Sequence, residues 1–123
     1  MKKVITITLG VLLGILFISA GGAKLLGQAA QVEHFAQWGY PLWFLYLTGI
    51  IEVGGGISLF IPKAQFYGIW VLSVTMVGAF FTHLRAGEFG ALPVPLVLLC
   101  LLLSLAWLRY SPKKSPSSMG PSE

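Results

Sequence analysis

Four uninterrupted apolar stretches set the terms on which this chain can fold. They cover residues 4–23, 42–61, 66–84 and 91–108, which is 77 of the 123 positions. A helix that crosses a bilayer needs roughly 20 predominantly apolar residues, and these stretches are 20, 20, 19 and 18 long. The first holds no charge and the second holds one, Glu52. The third closes beside His83, and the fourth carries Pro93 and Pro95 in its first turn, where proline costs a helix little. Strands fit poorly, because the stretches do not alternate and exceed the length of a barrel strand. In lipid a helix satisfies its own backbone hydrogen bonds. The reading is an all-α protein, a membrane four-helix bundle.

The connections refine this reading. Residues 62–65 and 85–90 are links of four and six, short enough to make consecutive helices antiparallel neighbours. The first link, residues 24–41, is longer. Within it Leu25, Ala29, Val32 and Ala36 recur at helical spacing, which predicts a short helix lying at the interface. Trp38, Tyr40 and Trp43 follow, and such rings favour the headgroup level. The predicted organisation is one domain over residues 1–110 and a disordered cytoplasmic tail over 111–123, rich in Ser, Pro and Lys.

Composition agrees and excludes several function classes. Charged residues make up 10% of the chain and mean hydropathy is +0.84, whereas soluble domains carry about 25% charged residues. An ordinary soluble globule is excluded, and a soluble nucleic-acid binder is argued against despite the net charge of +4. The basicity reads instead as an orientation signal. Lys2, Lys3, Lys63, Arg109, Lys113 and Lys114 fall on one side of a four-span chain, with only Lys24 and Arg85 on the other. Both termini are therefore expected in the cytoplasm, with the protein in a bacterial inner membrane. The N-terminal run of 20 apolar residues exceeds the roughly 7–15 of a signal-peptide core, so it is expected to remain as a span.

Glu52 is the charged residue that fits its surroundings least. It lies ten residues past Leu42, about 15 Å along a helix at 1.5 Å per residue and near the bilayer middle. A carboxyl there must find a partner or take up a proton. It could carry a proton or cation, hold a ligand, or brace the bundle. Lys24 and His83 lie toward the same outer half as Glu52. Lys24 either reaches the carboxyl or snorkels to the headgroups; His83 either joins the site or bonds a carbonyl at the interface. Thr82, Arg85 and Glu88 could complete a polar mouth.

Glycines inside apolar helices need a reason. Gly10 and Gly14 have the spacing that permits close helix contact. Gly49, Val53 and Gly56 share one face of the second span, and Gly54, Gly55 and Gly56 could bend it. Tight packing explains them most simply, and a ligand slot is the alternative. Cys100 has no cysteine partner in the chain and reads as an inert packing residue. No residue set has the spacing of a zinc site, and nothing supports haem.

These residues carry a resemblance. Phe17-Ile18-Ser19-Ala20-Gly21-Gly22-Ala23-Lys24-Leu25 closes the first span, Gly49-Ile50-Ile51-Glu52-Val53-Gly54-Gly55 lies in the second, and Thr82-His83-Leu84 closes the third. The ordered set resembles the DoxX family of small four-helix bacterial membrane proteins, in its DoxX-like branch, over the chain up to about Leu108. The resemblance implies an accessory subunit of a membrane redox or quinone-linked complex, since the name-bearing relatives are small membrane subunits of a thiosulfate:quinone oxidoreductase. It also implies that Lys24, Glu52 and His83 occupy the family's recurrent polar positions. Any enzymatic role would be that of an oxidoreductase subunit, with a quinone as the cofactor to look for. The lipid bilayer, a redox partner or further copies of the chain are the expected partners, and nucleic acid is not. Two other classes stay open: a small proton-coupled transporter, and a non-catalytic assembly factor. Small drug exporters have a similar size and one membrane glutamate, but there it lies in the first span.

Overall fold

The computed structural model describes residues 2–110, so the expectation of a disordered tail lies outside the described residues. Five helices follow in order: α1 (Lys2–Leu25), α2 (Ala29–Gln37), α3 (Leu42–Ser58), α4 (Gln65–Arg85) and α5 (Pro93–Tyr110), with a 3-10 turn at Phe89–Ala91 before the last. Among the described residues there is no strand. The protein is an all-α membrane protein.

Three of the apolar stretches became helices long and apolar enough to cross a membrane: Lys2–Leu25, Gln65–Arg85 and Phe89–Tyr110. The second is shorter than its apolar run. α3 has 17 residues and stops at Ser58 rather than continuing to residue 61. The cause is local. Phe60 and Ile61 donate to the carbonyls of Ile57 and Ser58, three residues back, and Pro62 drives the residue before it out of the α region. The glycine triplet inside α3 does not interrupt the helix. The longer first link does contain the expected short helix, α2.

α1 packs on α3 and α5, and α4 packs on the same two helices, so the four long elements enclose a common interior. Leu13, Phe17, Leu59, Ile69, Leu72, Met76, Leu102 and Leu105 form its buried core. The outside is equally apolar: Ile7, Leu12, Trp70, Val74, Phe81 and Trp107 all project outward. On a water-soluble monomer such a surface would be anomalous; surrounded by acyl chains it requires no cover. Cys100 belongs to this outer surface, so it is not the packing residue expected from its leucine-rich setting. The sequence around it is apolar on every side, and helical phase alone turned it outward.

The glycines decide how closely α1 and α3 approach. A Cβ added at Gly21 would come within 2.6 Å of the Gly49 carbonyl oxygen and 2.8 Å of Val53. One added at Gly56 would meet the Gly14 carbonyl at 3.0 Å, and one at Gly14 would overlap the Phe60 ring. The two backbones are in contact, which is the use membrane helices make of small residues. Gly10 faces the Gln65 side chain, whose amide donates to the Leu59 carbonyl at 3.1 Å.

Candidate functional site

The tight seam between α1 and α3 explains how Glu52 is held. Lys24 follows Gly21 by three residues, and Glu52 follows Gly49 by three. A Cβ at Gly49 would lie 3.0 Å from the Lys24 Cβ, and one at Gly21 would lie 2.8 Å from the Val53 nitrogen, so the lysine starts near the level of Gly49 and its long stem reaches along α3 to Glu52. Lys24 Nζ lies 2.9 Å from Glu52 Oε1, with the two side chains 12% and 6% exposed. An ammonium and a carboxylate this buried are stable only as a pair. The lysine does not snorkel away to the headgroups.

His83 was grouped with this pair by position, and the structure places it differently. Its Nδ1 lies 2.7 Å from Glu88 Oε1. The indole Nε1 of Trp38 donates to the same oxygen at 3.0 Å, and the Trp38 and His83 rings meet edge to face with centroids 5.2 Å apart. Alongside, Tyr40 and Thr82 share a hydrogen bond of 2.8 Å. Since the Thr82 hydroxyl donates to the Gly78 carbonyl at 2.9 Å, its single proton is taken and Tyr40 is the donor. Arg85 donates to the Trp38 carbonyl at 3.1 Å and covers the Tyr40 ring. Thr82, Arg85 and Glu88 thus do assemble into a polar cluster, but around Trp38 and Tyr40.

Two helix ends create this cluster. At Gly39 (φ +83°) and Gly87 (φ +75°) the backbone turns left-handed, a conformation glycine adopts without strain. Tyr40 then donates from its backbone N–H to the Phe35 carbonyl, and Glu88 to that of His83, the six-residue closure typical of a glycine C-cap. Each closure folds the next residue back over the helix just ended. Hydrogen bonds from His83 and then Trp38 hold the Glu88 carboxyl below the ordinary carboxylate range.

Between these two polar groups lies a cavity of about 610 Å³, within the usual range for a small-molecule site. Lys24, Glu52 and His83 all line it. Its walls are otherwise largely apolar and aromatic, with Phe17, Phe35, Trp38, Tyr40 and Phe44 among them. The three residues picked out from the sequence therefore share one chamber without sharing one bond network. Trp38 and Tyr40 close over the chamber, while Trp43 stays 65% exposed. Composition could not distinguish these rings. Trp38 and Glu88 are 50 residues apart, and no spacing rule connects them. Among the described residues no three or more His, Cys, Asp or Glu side chains come together as a metal site would require.

Comparison with known proteins fits this architecture. The sequence model of the DoxX-like family matches residues 8–105. The uncharacterized protein YdgD of Bacillus subtilis is 30% identical over 111 residues, covering 82% of this chain and 92% of its own length. The protein named "Putative oxidoreductase CatD", from the same organism, is 30% identical over 103 residues, covering 82% of this chain and 76% of its own. The inner membrane protein YqjF of Escherichia coli is 32% identical over 79 residues, 63% of this chain and 61% of its own. No solved structure matches significantly. With the family's match running through every element that frames the chamber, the chain belongs to the DoxX-like family of membrane proteins.

Proposed function

We propose that this protein is an accessory subunit of a bacterial inner-membrane redox complex, and that its chamber binds the ring of a quinone. The observation that carries the proposal is the chamber itself, with apolar aromatic walls and two ionisable groups that have hydrogen-bonding capacity left. The Thr48, Thr75 and Thr82 hydroxyls each donate to the carbonyl four residues back, so they offer a ligand only lone pairs. Lys24 uses one ammonium proton on Glu52 and retains two. His83 engages Glu88 through Nδ1, which leaves Nε2 as the free ring nitrogen and, in the neutral imidazole, an acceptor.

These groups suit a ring bearing one oxygen to accept from Lys24 and a second to exchange a proton with His83. Because Glu52 cancels the lysine charge, the chamber favours a neutral molecule over an anion. A bound quinone would supply the redox chemistry; the chain's own residues would orient it and move a proton at Nε2. Electrons would pass to a partner protein. The relative named for an oxidoreductase supports this reading. The Lys24 pairing counts against the proton-coupled transporter, which needs Glu52 free to load a proton.

The topology that goes with this function has four crossings and both termini in the cytoplasm. The register of α1 against α3, Gly21 beside Gly49 and Gly14 beside Gly56, supports opposed crossings, and the distribution of Lys and Arg supports the orientation.

The test uses protein in lipid nanodiscs with Trp43, Trp70 and Trp107 replaced by Phe, so that Trp38 is the sole reporter. A short-chain quinone is expected to quench its emission saturably. His83→Ala should weaken binding, and Gly78→Leu should abolish it. Gly78 lines the chamber, and a Cβ there meets nothing within 4 Å, so leucine fills ligand space without displacing protein. Quenching that does not saturate, or is identical in both variants, overturns the proposal.

A further inference from the structure

The chamber is not sealed on all sides. The seam between α3 and α4 is fastened at both ends. Leu72 packs against Gly55 and Ser58 against Gly68 at one end, and at the other Tyr40, just before α3, bonds Thr82 on α4. The seam between α1 and α5 is fastened at one end only. There Lys2 lies over the Trp107 ring and Gly10 faces Leu105. Toward the Lys24 end, among the described residues, no side-chain hydrogen bond or ion pair joins the two helices.

Along that unfastened stretch, Leu16 and Ala20 of α1 and Val94 and Leu98 of α5 line the chamber. Leu16 is 51% and Val94 61% exposed. Bordering the cavity while half open to the outside, the two mark an entrance where, among the described residues, no hydrogen bond or ion pair fastens the helices; Val74 of α4 is a further outward-facing lining residue. These helices face acyl chains, so the entrance opens onto lipid rather than water. The rim residues Leu16, Ala20, Val94 and Leu98 are all apolar, and the Lys24–Glu52 pair starts one turn past Ala20 on α1.

We infer that the gap between α1 and α5 is a lateral portal, and that the ligand is a lipid-borne amphipath whose neutral polar ring sits in the chamber while a single apolar tail leaves between Leu16 and Val94. The inference rests on the ligand reading above and adds the route and the tail. The apolar rim passes a hydrocarbon chain at no desolvation cost, while a charged headgroup would have to shed its water there.

The experiment compares two probes, a prenyl-tailed quinone and the same ring without its tail, against the Trp38 reporter in nanodiscs. Leu16→Phe with Val94→Phe narrows the rim at two half-exposed positions and keeps Trp38 the sole tryptophan. The expected result is a loss of about tenfold or more in affinity for the tailed probe, with the tail-less ring changed by less than about twofold. Leu16→Ala with Val94→Ala, which widens the rim, should leave both affinities intact and speed loading of the tailed probe. Equal losses for both probes, or no loss for either, overturn the portal. If the unsubstituted protein binds neither probe, the ligand reading itself fails and the portal falls with it.

Discussion

Along one face of α1, Gly10, Gly14 and Gly21 bring its backbone against α3 and its loop; on the adjoining face, Leu16 and Ala20 border a cavity on the way to α5. One helix thus forms a dry, backbone-close seam and a gap within the same few turns. The seam needs no side-chain bonds to close, because dispersion between backbones in contact suffices. It does end in one, the Lys24–Glu52 pair. The gap, by contrast, is bordered by apolar side chains that, among the described residues, no hydrogen bond or ion pair joins. Side-chain volume at the interface, rather than hydrophobicity, separates the two: α1 is apolar all round, and only its smallest residues permit contact.

The largest effect that would break this comparison concerns the ion pair. Lys24→Met alone leaves Glu52 buried without its counter-charge and should cost about 3–5 kcal/mol. Lys24→Met with Glu52→Gln should recover much of the loss, since no charge is then left stranded. Thermal unfolding in detergent measures both. A single variant as stable as the parent would show that the seam does not depend on matched charge.

Next is the seam itself. Gly21→Leu forces side-chain atoms into the Gly49 carbonyl and Val53 and should destabilise by about 1–3 kcal/mol or prevent folding. At the neighbouring position, Gly22, a Cβ meets nothing within 4 Å, so Gly22→Leu should stay within about 0.5 kcal/mol of the parent. Similar midpoints for the two variants would remove the basis for distinguishing the faces of α1.

The smallest effect lies at the chamber's mouth. The Glu88 carboxyl has its folded-state value depressed by His83 and Trp38. Its stabilising contribution is therefore fully present above the ordinary carboxylate range and is lost as pH falls through the depressed value. Acidification through that window should release Trp38 and shift its emission. Glu88→Ala should already show the shifted emission at neutral pH and change little on acidification. A pH response identical in both proteins would disconnect Glu88 from the mouth.

Much of this was legible before the structure. Three crossing helices and the short α2 follow from runs of apolar residues and their spacing, because burial in lipid acts on every residue of a span and leaves a long, redundant signal. The family resemblance rested on Lys24, Glu52 and His83 within their motifs, and all three line one cavity. Their bonding was not legible. Glu52 had two candidate partners at similar depth, and helix rotation, set by Gly21 and Gly49, gave it to Lys24. His83 went to Glu88 through a glycine turn whose hydrogen bonds no periodicity reveals. The end of α3 at Ser58 was also missed, since Leu59, Phe60 and Ile61 continue the apolar run while the backbone has already tightened ahead of Pro62.

The amino-acid sequence by itself determined that this chain lives in a membrane, which segments are helical, and which few ionisable groups lie among apolar ones. Those are properties of individual residues and their neighbours in the chain, and solvent selects on them directly. Only the tertiary structure decided that Lys24 neutralises Glu52, that Trp38 and Tyr40 close over a chamber, and that α1 is tight against α3 but open toward α5. Each of these depends on the rotation and separation of helices distant in sequence, and those are set by where a missing Cβ lets two backbones touch.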